Sequence, residues 1–106
     1  MGHQMNIQQA EQKIRAEVSS RQYNLQPSAD WYTPSGKQRS FPMYEMTIHN
    51  TYLRNTRTIK GKTAHEVQFK AQQQIQKWHD EEIRKRVADA KRAQQKEKEA
   101  AVPIDL

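Results

Sequence analysis

Residues 43–78 read MYEMTIHNTYLRNTRTIKGKTAHEVQFKAQQQIQKW, and two structural periods meet inside them. Over residues 44–49, Tyr44, Met46 and Ile48 alternate with Glu45, Thr47 and His49, the period that puts successive side chains of a half-buried strand on opposite faces. A second run, residues 52–60, is rich in Thr and Tyr and closes with Ile59. The two runs predict an antiparallel hairpin that turns near Asn50 and Thr51 or near Arg54 and Asn55, both places offering turn-prone Asn. Its apolar face draws on Tyr44, Met46, Ile48, Leu53 and Ile59, and its other face or tip carries Arg54, Arg57 and Lys60. A two-stranded hairpin is marginal in water, so a helix or a third strand must cover it.

The covering helix is announced directly afterwards. Gly61, Lys62 and Thr63 lead into Ala64, and Thr63 with Glu66 three residues on has the spacing of a capping box, in which each side chain satisfies a backbone N–H of the other residue. Val67, Ala71, Ile75 and Trp78 then recur at intervals of four, four and three, an apolar stripe that should lie on the hairpin. Beyond Trp78 the stripe changes side. Ile83, Val87 and Ala90 fall on the side that also holds Phe69. Either the helix bends near His79 and Asp80, or its distal half packs on something else, the first helix or a second subunit. Residues 91–101 hold only charged residues, Gln and Ala, which favours helix but leaves nothing to bury.

Upstream, Ile7, Ala10, Ile14, Val18 and Leu25 mark one face of an amphipathic helix from Asn6, a plausible N-cap, to about Leu25. Residues 26–42 break the pattern with Pro27, Pro34, Gly36 and Pro42 and read as a loop, with a possible extra strand over residues 38–41. This loop contains Trp31, Tyr32 and Phe41, rings that either fold back onto the core or form, beside Lys37 and Arg39, a surface on which bases stack.

The charge is concentrated. Residues 37–62 hold six cations (Lys37, Arg39, Arg54, Arg57, Lys60 and Lys62) and one acid, Glu45, in a chain whose net charge is +6. Such a field favours a polyanionic partner. The chain has 106 residues and 34% hydrophobic content, enough for one small domain with a thin core to which its eight aromatic rings would contribute. No run is apolar enough for a membrane span, and the polar start does not resemble a signal peptide. The absence of cysteine fits a reducing, cytoplasmic setting. The four His are scattered and no nucleophile motif is present, so no catalytic residue, metal, cofactor or small-molecule substrate is expected.

The stretch Ile59-Lys60-Gly61-Lys62-Thr63-Ala64-His65-Glu66-Val67 resembles the last strand and helix start of the arm-type DNA-binding domains at the N-terminus of phage and transposon integrases. It is more distantly similar to accessory modules of restriction-type nucleases and to the final hairpin and helix of double-stranded RNA-binding domains. The resemblance covers residues 44–78. The long first helix and basic tail depart from the arm-type pattern, and recombinase catalytic residues are absent. It implies DNA binding by the hairpin, with Arg54, Arg57, Lys60 and Lys62 at the matching positions.

Together these readings predict a small α+β domain of order α, loop, β, β, α over residues 6–90, a short hairpin or three-stranded sheet packed on a long C-terminal helix. Residues 1–5 are a disordered start or cloning scar, and residues 91–106 a charged, fraying helical tail. The expected function is non-enzymatic binding of nucleic acid, DNA rather than RNA, through Arg54, Arg57, Lys60 and Lys62. Lys37 and Arg39 extend the patch, and Trp31 or Tyr52 stacks. The alternative is a phage- or mobile-element-type interaction or assembly module, a homodimer or the binder of a protein partner, using the amphipathic helices: the first helix and the distal face of Phe69, Ile83 and Val87.

Overall fold

The computed structural model describes residues 6–101; the start at residues 1–5 and the end of the tail lie outside them. Its elements are α1 (Ile7–Ser20), β1 (Ser28–Tyr32), β2 (Gln38–Asn50), β3 (Asn55–Gly61) and α2 (Ala64–Ala101). The class is α+β, with an antiparallel sheet in the order β1-β2-β3. The chain divides into two compact units. One comprises residues 22–78, and the other joins the segment that contains α1 to the part of α2 from His79 onward.

In the unit of residues 22–78, Tyr44, Met46, Ile48 and Asn50 of β2 lie opposite Gly61, Ile59, Arg57 and Asn55 of β3, and directly opposed residues share a face. That face is closed by α2. Met46, Ile48 and Ile59 pack with Val67, Ala71, Ile75 and Trp78, the stripe read from the sequence, and Trp78 is 1% exposed. The hairpin turns through residues 51–54 between the two asparagines. The buried Asn50 accepts the Leu53 backbone N–H through Oδ1 at 2.8 Å, the local bond that makes Asn a turn residue.

Three expectations need correction here. Residues 26–42 are only partly loop: Ser28–Tyr32 form β1, paired with β2, and residues 38–41, the extra strand considered from the sequence, are the start of β2 itself. Pro34 and Gly36 (φ 86°) therefore mark the turn of a second hairpin. Strand β1 buries none of its five side chains, so it shows no alternation by which to find it. Second, α1 stops at Ser20 rather than near Leu25; the Ser20 hydroxyl donates to the Glu17 carbonyl at 3.0 Å, a local bond that competes with helix continuation, and Tyr23 and Leu25 pack against the sheet core. Third, the rings are mostly not core. Trp31, Tyr32, Phe41 and Phe69 are exposed, and aliphatic residues with Trp78 do the packing.

The other unit is helical. Asn6 caps α1 in a reciprocal box with Gln9, and Ile14 and Val18 pack on Ile83, with Val87 and Ala90 at the margin. The distal apolar face of α2 is thus covered by the first helix. Beside it the fully buried Glu82 accepts two hydrogen bonds from the Arg21 guanidinium, one of them 2.8 Å long, and one from Arg86 at 3.4 Å. Arg86 also pairs with the more exposed Glu17 at 2.8 Å. A buried carboxylate is tolerable only while its partners remain.

Two stability measurements check this packing. Arg21→Met removes the two hydrogen bonds that Arg21 gives the buried Glu82 carboxylate and should cost about 3–5 kcal/mol, whereas Glu17→Gln, at a surface pair, should cost under about 1 kcal/mol. Equal losses in denaturant titration would contradict the burial of Glu82. Gly61→Ala would bring a Cβ within 3.0 Å of the buried Val67 side chain and 2.9 Å of the Glu66 carboxylate. Overpacking of about 1–3 kcal/mol exceeds the roughly 0.4–1 kcal/mol gained from a stiffer unfolded chain, so the melting temperature should fall.

Candidate nucleic-acid interface

Because α2 closes one side of the sheet, the other side is open. Along it Glu45 lies opposite Lys60, Thr47 opposite Thr58 and His49 opposite Thr56, and all six are exposed. The Thr47 and Thr58 hydroxyls are 3.1 Å apart, and His49 Nδ1 is 3.0 Å from the Thr56 hydroxyl. The open face is therefore a row of small hydrogen-bonding groups along β2 and β3, with Lys60 near one end and the Glu45 carboxylate opposite it. The sequence reading left Thr47, Thr56, Thr58 and His49 out of the site, although their strand period was the signal that places them there.

The four central cations do not form one patch. Arg57 lies opposite Ile48, on the side that faces α2, while Lys60 is on the open side. The expectation that Arg57 and Lys60 share a face is corrected by the register, since three residues separate them and a strand alternates every one. Arg54 sits in the hairpin turn, and Lys62 directly follows the other end of β3. At about 3.3 Å per residue, Arg54 and Lys62 are roughly 26 Å apart along the strand direction.

Arg54 has φ 54°, a left-handed conformation that costs a side chain with a Cβ about 1–2 kcal/mol. Lys62 is held by the helix start. Its backbone N–H donates to Glu66 Oε2 at 2.9 Å, and the Glu66 N–H donates to the Thr63 hydroxyl at 3.0 Å. Half of the capping box is as read; the glutamate reaches the N–H of Lys62 rather than that of Thr63. The bond from Lys62, reinforced by the Lys70 ammonium at 3.1 Å, holds the Glu66 carboxyl below the ordinary carboxylate range. What this contributes to stability is fully present above the unfolded glutamate value of about 4.3 and is lost as pH falls through the lowered one.

The remaining candidates are dispersed. Lys37 ends the turn between β1 and β2, its backbone N–H donating to the Thr33 hydroxyl at 3.1 Å. Arg39 approaches Asp30 at 3.8 Å. Trp31 and Tyr32 are exposed on β1, and Tyr52 is exposed in the hairpin turn. Ile83 and Val87 pack against α1 within the helical unit, while Phe69 is exposed in the unit of residues 22–78. No helix among the described residues is long and apolar enough to cross a membrane.

By sequence, residues 22–78 carry eight basic and three acidic side chains, +5 of the total +6. The sheet unit is the electropositive one. No protein-family model matches the chain, and no curated protein or solved structure matches it.

The turn makes a direct test of backbone strain. Arg54→Gly should raise stability by about 1 kcal/mol, because glycine adopts the left-handed conformation without the Cβ conflict. A lowered melting temperature would show that the arginine side chain supports the turn.

Proposed function

We propose that this protein is a non-enzymatic binder of double-stranded nucleic acid, DNA in preference to RNA, and that the open face of the β2-β3 hairpin is the surface that meets the duplex. The observation that carries the reading is the location of the charge, +5 on the unit whose sheet leaves one polar face uncovered. The major groove of B-DNA is about 12 Å wide and admits a two-stranded ribbon, the width of the sheet beyond Glu45, where β2 pairs with β3 alone, whereas the deep, narrow major groove of A-form RNA does not admit side chains. The threonine hydroxyls and His49 are groups that can donate to or accept from base edges. Arg54 at the tip and Lys60 and Lys62 at the far end suit phosphates spaced along the duplex. Their separation of roughly 26 Å matches the rise of about eight base pairs at about 3.4 Å each.

A strained arginine in the turn fits the same reading. Glycine or asparagine would satisfy that backbone at less cost, so the guanidinium is the reason to have arginine there. The arm-type resemblance also agrees with a DNA-facing sheet, and a phage or mobile-element setting belongs to it.

Salt dependence is the test. Each phosphate neutralised adds about 0.9 to the slope of log affinity against log salt. Contacts from Arg39, Arg54, Lys60 and Lys62 should give a slope near −3.6, and changing Arg54, Lys60 and Lys62 together to Ala should reduce its magnitude by about 2.7. Arg57→Ala, on the other side of the sheet, should leave the slope unchanged. A folded triple variant with undiminished duplex affinity would overturn the proposal.

A further inference from the structure

The most exposed large apolar side chain described is Phe41, at 82%, and the strand around it is irregular. Between the β1-β2 pairs Asp30 with Met43 and Tyr32 with Gln38, the single residue Trp31 stands against residues 39–42. A bulge of this kind takes residues out of the ladder and re-aims their side chains. Pro42 within it has no backbone N–H to pair. The result is a shallow hollow of about 360 Å³ lined by Arg39, Phe41, Pro42, Met43 and Lys62.

The composition of that lining selects a ligand. It offers one aromatic face, two neighbouring apolar side chains and two cations, with no carboxylate. Arg39 has Asp30 at 3.8 Å, and no ion pair to the Lys62 ammonium is found among the described residues. An aromatic ring bracketed by cations is complementary to a base bracketed by phosphates. Inside a duplex both faces of a base are covered by its neighbours, so Phe41 takes a base outside the continuous stack, and a single-stranded extension supplies one.

The hollow also lies where a duplex on the open face would end. Lys62 follows Lys60 by two residues along the strand, at the end of β3 away from the Arg54 turn. We therefore propose that Phe41 stacks on an unpaired nucleotide while Arg39 and Lys62 hold its flanking phosphates, so that the preferred ligand is a junction between duplex and single strand. This rests on the duplex-binding reading above and deepens it.

Fluorescence anisotropy with a blunt DNA duplex, and with the same duplex bearing a short single-stranded extension, tests the proposal. The wild-type chain should prefer the extended duplex by roughly five- to a hundredfold, the range of one base stacked on an aromatic side chain. Phe41→Ala should abolish the preference and keep the blunt-duplex affinity; Phe41→Trp should retain the preference. Phe41 is a surface residue, so the alanine variant should keep its melting temperature. Equal wild-type affinity for both DNAs would overturn the junction proposal and leave duplex binding standing. A Phe41→Ala variant that loses affinity for both DNAs alike would also overturn it, placing the ring on paired DNA. Failure of the wild-type chain to bind either DNA at low salt would remove the duplex reading and this one with it.

Discussion

The close approach at Gly61 sets the rest of the sheet unit. A strand must end and a helix begin within three residues, and Val67 comes down on the sheet so close to position 61 that a Cβ there would lie 3.0 Å from its side chain. With no Cβ there, Glu66 folds back to the Lys62 N–H, Thr63 caps the first turn, and Val67, Ala71, Ile75 and Trp78 are carried along one side of the sheet. Once that side is closed, everything opposite it in register is left to solvent. The polar face follows from where the helix starts.

A face produced in this way needs little core. Seven buried residues hold the sheet to its helix, and Ile14, Val18 and Ile83 hold α1 to the second half of α2. Helix α2 serves both units with two different stripes, so a single long helix with two apolar sides is consistent with its surroundings. The charge is divided as sharply as the packing. The helical unit nearly neutralises itself, and pairs such as Arg21 with Glu82 and Arg86 with Glu17 absorb its cations internally. The sheet unit has few acids to do the same.

The parts of the fold legible in the sequence were those governed by short-range rules. The alternation of Tyr44, Met46 and Ile48, the Thr63 and Glu66 start and the stripe ending at Trp78 are each local patterns with one reading. Strand β1 was not legible, because an edge strand with no buried side chain carries no period. The end of α1 was missed because Leu25 continues the helical spacing, yet its side chain packs with the sheet core. The site was only half readable. Which side Arg57 occupies depends on the length of the turn, and a turn bounded by Asn50 and Asn55 puts it with Ile48; either turn position considered from the sequence uses one of those two residues. The sequence marks Phe41 as an unusual ring, but its exposure depends on a bulge that sets Trp31 against four unpaired residues of β2, a non-local fact.

In the proposed mode of binding the sheet face opposite α2, rather than either helix, meets the duplex. Mapping amide and methyl NMR shifts of the intact chain during titration with a DNA duplex tests this most directly. The largest changes should fall on Thr47, His49, Thr56, Thr58 and Lys60, with Arg54 and Lys62 at the two ends, while Ile14, Val18, Ile83 and Val87 stay in place. Changes confined to α1 and the second half of α2, with the Thr47 and Thr58 signals unmoved, would contradict it.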